Sequence, residues 1–186
     1  MKSTVRSKIL NTLNAMTAAE KKQLSSLIEH QLKLALANES GHWAAYHNLK
    51  DEPEINWQNV SDRIDWVFPR IDKATLEFRK SAKVFQKNSD LGFLEPHDGT
   101  KLDLAQIDGF VVPGLSFAKT GHRLGRGKGY YDRVLAGFKG KKIGVCFNVS
   151  VCEELPHEGH DVAFDLIVTE NQIYNALMSE GVRKWK

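Results

Sequence analysis

The stretch from residue 107 to residue 138 constrains the fold more than any other part of the chain. "IDGFVVPG" is a β-branched apolar run closed by Pro-Gly, the pattern of a buried strand ending near residue 114. A basic loop follows, in which Gly121, Gly125, Gly127 and Gly129 are interleaved with Arg123, Arg126 and Lys128. Behind it, Tyr131, Val134, Leu135 and Phe138 mark one face of a helix. Strand, loop and helix in that order form the unit of an α/β protein, whose ligands collect in the loops at the carboxyl ends of strands.

The other segments extend this pattern. Val5, Ile9, Leu10 and Leu13 form a helical stripe over residues 2–14, and Thr17 with Glu20 forms a capping box for a second helix ending near "NESG". "HWAAYH" reads as a strand, "DEPEIN" as an acidic turn, "WQNVSDRI" as a helix, and "DWVFPRI" as a strand that Pro69 should end. "TLEFRKS" reads as a strand followed by a turn-rich loop. "KKIGVCFNV" and "FDLIVT" are strands, and Thr169 with Gln172 is expected to cap a final helix over "ENQIYNALM". The order predicts an α/β three-layer sandwich with a largely parallel central sheet, built as a single domain over residues 1–186.

Composition narrows the class. The chain is 41% hydrophobic and 26% charged, which suits a globular protein, and its net charge of +3 is small for a nucleic-acid binder. Cys146 and Cys152 show no metal-ligand spacing and read as free thiols of a reducing compartment. No segment is apolar enough to span a membrane. The basic, amphipathic first segment raises the possibility of a mitochondrial presequence. Lys2 and Arg6, however, fall one turn apart on the side of the apolar stripe, where a presequence would segregate its charge, so the expectation is a cytoplasmic protein.

The loop has the parts of a polyphosphate cradle. Glycine lets backbone N–H groups approach an anion and adopt positive φ, and Arg123, Arg126 and Lys128 supply neutralising charge. It is neither a Walker loop, since Gly129 and no Ser or Thr follows Lys128, nor a GxGxxG fingerprint. Asp132, directly after "GYY", suits either a helix start or a Mg2+ ligand beside phosphates, and Asp161 and Asp165 in "HDVAFD" offer a second carboxylate.

"VVPGLSFAKTGHRLGRGKGYYDRVL" resembles the signature of the 5-formyltetrahydrofolate cyclo-ligase family, also called 5,10-methenyltetrahydrofolate synthetases, most closely through residues 121–132. Weaker likenesses run along the chain: Lys2 and Arg6 in the first helix, Pro69-Arg70, "LEP" at 94–96, and "LP" followed by His-Asp and "VTE". The resemblance implies a fold related to the phosphosugar isomerase and CoA-transferase sheets, with ATP as co-substrate and Mg2+ as cofactor. It implies ATP contacts from Lys2, Ser3, Thr4, Val5 and Arg6, and from Arg123, Leu124, Gly125, Arg126, Gly127, Lys128, Gly129, Tyr130 and Tyr131. The folate would touch Glu52, with His47 beside it, and Arg126 to Tyr130; Mg2+ would lie on Asp132 and Asp161. Spacing from Tyr46 selects Glu52 and the Glu-Ile-Asn text selects Glu54; Glu52 is preferred. Ala118 departs from the family pattern, where Asp is frequent. Arg126 and Lys128 are the expected catalytic residues. The expected partner is 5-formyltetrahydrofolate, with or without a polyglutamyl tail, for a monomer that engages neither nucleic acid nor membrane. Another nucleotide or phosphosugar enzyme on a related sheet is the competing reading.

Overall fold

The computed structural model describes residues 2–156 and 161–176. Two helices lead, α1 (Lys2–Ala15) and α2 (Ala18–Ala35). The capping box between them forms in full: the Glu20 N–H donates to Thr17 Oγ1 at 3.2 Å, and the Thr17 N–H donates to Glu20 Oε2 at 2.7 Å. Then come β1 (Gly41–Ala44), α3 (Trp57–Val60), β2 (Ile64–Asp72), β3 (Thr75–Lys80), a small hairpin of β4 (Phe85–Lys87) and β5 (Leu94–Pro96), and β6 (Thr100–Leu102). β7 (Gly109–Pro113) leads into β8 (Ser116–Ala118), β9 (Arg123–Leu124) and α4 (Tyr130–Leu135). β10 (Lys141–Val145), β11 (Val151–Cys152), β12 (Leu166–Val168) and β13 (Ile173–Asn175) complete the described chain.

The main sheet has the order β13-β12-β10-β7-β1-β2-β3-β6. Its five central strands, from β12 to β2, are parallel, while β13 at one edge and β3 with β6 at the other are antiparallel. Alternate residues of β7 feed two separate cores, as a strand buried on both faces requires. Val111 joins Trp43, Ile143 and Val145 under Leu13, Ile28 and Leu32 of the first two helices. Phe110 and Val112 join Phe117, Val134 and Leu135 on the opposite face, beneath α4. The result is the three-layer α/β arrangement expected from the sequence.

Three local expectations give way. The helix read over "WQNVSDRI" is the single turn α3, and Ile64 already opens β2. Pro69 does not end its strand but sits inside β2, opposite Phe78 of β3. The Val67 carbonyl accepts from the Ala45 N–H at 2.9 Å, so odd-numbered residues of β2 direct their backbone polar groups toward β1. The β1 ladder stops at Ala44↔Val67, so no ladder bond falls to Pro69, and the next odd-numbered N–H on that side, that of Ile71, goes instead to the Glu95 side chain at 3.1 Å. Among the described residues the final helix gives way as well. Thr169 Oγ1 accepts from the N–H groups of Asn171 (3.3 Å) and Gln172 (3.2 Å) as a helix cap would, but the chain then reverses into β13, antiparallel to β12. Tyr174 fixes that reversal through its hydroxyl, which donates to Asn148 Oδ1 at 2.8 Å. Residues 177 and 178 of the expected helix lie outside the described residues.

Gly144 shows how closely the layers approach: a Cβ there would lie 2.3 Å from the buried Phe117 ring. Gly144→Ala is expected to destabilise the protein by about 1–3 kcal/mol in urea unfolding through overpacking; an unchanged unfolding midpoint would contradict this packing.

Candidate active site

β1 is flanked by β7 and β2, and the chain leaves it first toward β2 and later, from β7, toward β10 and β12. The strand order therefore reverses between β1 and β7, and a crevice opens beyond their carboxyl ends. That crevice is lined from β2, from β3, from the segments that follow β1 and β7, and from the glycine loop.

One wall grows from β1. Tyr46 donates its hydroxyl to the Pro53 carbonyl at 2.9 Å, and Trp57 Nε1 donates to the Tyr46 carbonyl at 2.7 Å. These bonds fold the acidic turn back on the strand and bury Asp51 and Glu52, while Glu54 stays exposed. Glu52 Oε2 accepts the Leu49 N–H at 3.0 Å. His47 stacks on Phe68 with ring centroids 4.5 Å apart, and Phe85 meets it edge-on at 4.9 Å. Burial pushes its imidazole pKa down, so it is neutral at pH 7, and Nε2 is buried with no partner among the described residues.

The facing wall is the glycine loop. β8 and β9 form a hairpin that carries the chain out and back, burying Leu124 before the turn. Gly127 (φ +97°) and Gly129 (φ +67°) take left-handed conformations that other residues adopt only with strain. Arg123, its side chain 7% exposed, donates to the Pro113 carbonyl at 3.2 Å and to Asp132 Oδ1 at 2.9 Å. It thus joins the end of β7 to the start of α4. Arg126 reaches across the crevice: Nε donates to Glu52 Oε1 at 3.2 Å and Nη2 to Asp51 Oδ1. Burial raises the Glu52 pKa, opposed by the Arg126 guanidinium and the Leu49 N–H. Lys128 lines the same crevice and makes no ion pair among the described residues. α1 lies over the loop, with Arg6 Nε donating to the Gly125 carbonyl at 2.8 Å, Lys2 paired to Asp161 at 2.8 Å, and Val5 packed against the cluster of Leu124 and Leu155.

The sequence profile of the 5-formyltetrahydrofolate cyclo-ligase family matches residues 1–170. The chain belongs to the 5-formyltetrahydrofolate cyclo-ligase family. The cyclo-ligase of Haemophilus influenzae is 28% identical over 178 residues, covering 88% of this chain and 95% of that one. The cyclo-ligase of Mycoplasma pneumoniae is 28% identical over 176 residues, covering 91% and 98%. The solved structure of 5,10-methenyltetrahydrofolate synthetase from Aquifex aeolicus superposes with a TM-score of 0.83 at 29% identity, covering 100% of this chain and 96% of that one.

Most of the cyclo-ligase residues expected from the sequence converge on this crevice: His47, Glu52, Arg123, Gly125, Arg126, Lys128, Gly129, Tyr130, Tyr131 and Asp132 line it. Gly127 lies beside the Arg6 guanidinium, where a Cβ would be 3.6 Å from Arg6 Cζ. Ser3 and Thr4 are on the exposed side of α1, and Leu124 turns into the core. Asp165 accepts the Lys142 N–H at 2.7 Å, at the amino ends of β10 and β12 and hence away from the crevice. Asp51 was missed by the sequence reading, and its only signal there is its place beside Glu52 in the turn after a strand.

Mg2+ fits these residues in one respect. Asp132, its side chain 45% exposed, gives only Oδ1 to Arg123, and Oδ2 accepts no hydrogen bond among the described residues. The described residues hold no group of three or more His, Cys, Asp or Glu side chains that would cage a metal alone. A Mg2+ ion needs no such cage when phosphate oxygens and water complete its shell.

The raised Glu52 pKa sets a pH signature. A carboxyl raised by folding contributes stability below its ordinary range and loses it as pH climbs through the folded value; Arg126 limits that loss. Arg126→Gln is expected to cost about 1–3 kcal/mol at about pH 8 and less at about pH 4, where the raised Glu52 carboxyl holds its proton. Urea unfolding at the two pH values checks this, and a loss independent of pH would contradict it.

Proposed function

We propose that the crevice is the site at which this chain, as an ATP-dependent cyclo-ligase, converts 5-formyltetrahydrofolate to 5,10-methenyltetrahydrofolate with release of ADP and phosphate. The observation that carries the reading is the meeting, at one topological reversal, of a glycine loop bearing Arg126 and Lys128 with a pocket wall bearing Glu52 and His47. The family to which the chain belongs supports the same reaction.

The N5-formyl group is an amide, so its oxygen leaves poorly and its carbon is a weak electrophile. Transfer of the ATP γ-phosphoryl group to that oxygen converts it into a leaving group. N10 then attacks the formyl carbon and loses its proton, the C–O bond breaks, and phosphate departs. Such a transfer gains mostly from alignment and charge neutralisation. In our reading the amides around Gly125, Gly127 and Gly129 position the phosphates, and Arg126 and Lys128 neutralise the transferring group. Lys2 and Arg6 close α1 over the nucleotide, with Ser3, Thr4 and Val5 beside them, while Arg123, Leu124, Tyr130 and Tyr131 shape the remainder of the cradle. Glu52, His47 and the 126–130 backbone hold the folate. Asp132 and Asp161 would hold Mg2+, which would supply positive charge against that of the phosphates; the half-exposed Asp132 carboxylate supports this. Asp132 would offer Oδ2 while Oδ1 stays with Arg123, and Asp161 would share its carboxylate with Lys2 or release it.

We further propose that the protein acts as a single-domain monomer of the cytoplasm, in keeping with its unpaired Cys146 and Cys152 thiols. Polyglutamylated folates fall within its substrate range, since a net charge of +3 favours an anionic tail.

The test is spectrophotometric, following the near-ultraviolet absorbance of the methenyl product in mildly acidic buffer. Product is expected only when ATP and Mg2+ are both present, and product formed without ATP would overturn the reading. Lys128→Ala is expected to lower kcat by about 100-fold, whereas Glu52→Ala mainly raises the KM for folate. Equal effects of both variants on both parameters would refute this division of roles.

A further inference from the structure

Asp51 stands apart from the residues that line the crevice, yet it carries one of the most deeply buried charges near it, with its side chain 2% exposed. Oδ1 pairs with Arg126 Nη2, and Oδ2 has no partner among the described residues. Burial of a carboxylate with one oxygen unsatisfied opposes folding. Against that cost stands one contact, made to a side chain proposed above to touch the transferring phosphoryl group.

The contact has a geometric consequence. An arginine held at one nitrogen still swings on its long side chain, whereas two carboxylates on different nitrogens fix the guanidinium plane. Arg126 is held in this way, Nε by Glu52 at 3.2 Å and Nη2 by Asp51. Nη1 donates to nothing among the described residues and remains available to a ligand. The two acids differ in one respect. Glu52 lines the crevice and is shared with the folate in the reading above, whereas Asp51 lies outside the lining and has only Arg126 as its partner among the described residues.

We propose that Asp51 is a positioning residue for phosphoryl transfer: it touches neither substrate and acts only through Arg126, whose guanidinium it keeps oriented with Nη1 left for the phosphoryl oxygens. The proposal rests on the assignment of Arg126 to the transferring group.

A double-mutant cycle tests it, with kcat, the KM for folate and the urea midpoint measured for wild type, Asp51→Asn, Arg126→Ala and the double variant. Asp51→Asn is expected to lower kcat by about 10- to 100-fold with the KM for folate changed less than about twofold. In the Arg126→Ala background the same substitution should change kcat by less than about twofold. A merely structural Asp51 would lower the midpoint and leave the two kcat effects additive. If Arg126→Ala leaves kcat intact, the Arg126 assignment fails and the proposal with it. If Arg126→Ala lowers kcat but Asp51→Asn does not, or lowers it equally in both backgrounds, the Asp51 proposal alone is overturned. Should Asp51→Asn be too unstable to assay, Asp51→Glu keeps the charge and displaces the carboxylate by one methylene. It is expected to show the same loss of kcat in the wild-type background and none in Arg126→Ala.

Discussion

The crevice depends on where β1 lies. Trp43 pairs with Trp66 of β2 on one side and Gly109 of β7 on the other, both in parallel. Its ring is fully buried and covers Gly109 so closely that a Cβ there would lie 2.5 Å from it. This close packing fastens the two strands between which the order reverses. The segments leaving their carboxyl ends must then part, β1 into the acidic turn and β7 into the loop hairpin, and no crossover covers the gap between them. The site is thus a consequence of topology before any polar residue is considered.

The charges arranged around that gap compensate one another. Lys2 is paired to Asp161, Arg123 to Asp132, and Arg126 to Asp51 and Glu52, while Arg6 donates to the Gly125 carbonyl. A loop with this many cations would repel itself if they stood alone at these distances. Pairing holds it in shape and leaves Lys128 available to an incoming anion. In the proposed reading, a triphosphate entering the cradle would compete with Asp161 and Asp132 for Lys2 and Arg123, and Glu52 would link the nucleotide side to the folate side through Arg126.

Legibility in the sequence follows how local each decision is. The Thr17–Glu20 box, the wholly buried β7 and the glycine loop could be read because the residues that determine them are neighbours in the chain. Thr169 and Gln172 misled because one hydroxyl accepts the same two N–H groups in a helix cap and in a tight turn. The choice between them was made by Tyr174 bonding to Asn148, 26 residues earlier. Pro69 misled because its tolerance depends on where the neighbouring strand stops. Of three acids in one turn, spacing from Tyr46 selects Glu52 but gives no sign that Asp51 goes inside with it; the bonds from Tyr46 to Pro53 and from Trp57 to Tyr46 bury both. Ser3 and Thr4 face solvent because a helix presents only every third or fourth residue to one neighbour, here Lys2, Val5 and Arg6.

The central claim is that this crevice transfers phosphoryl to the formyl oxygen, and the fate of that oxygen tests it most directly. With 5-formyltetrahydrofolate labelled with heavy oxygen in the formyl group, turnover is followed by 31P NMR of the released phosphate. The account predicts that each phosphate carries the heavy isotope, acquired from the folate. Unlabelled phosphate, with the isotope recovered in water, would show that the formyl oxygen leaves without being phosphorylated and would contradict the account.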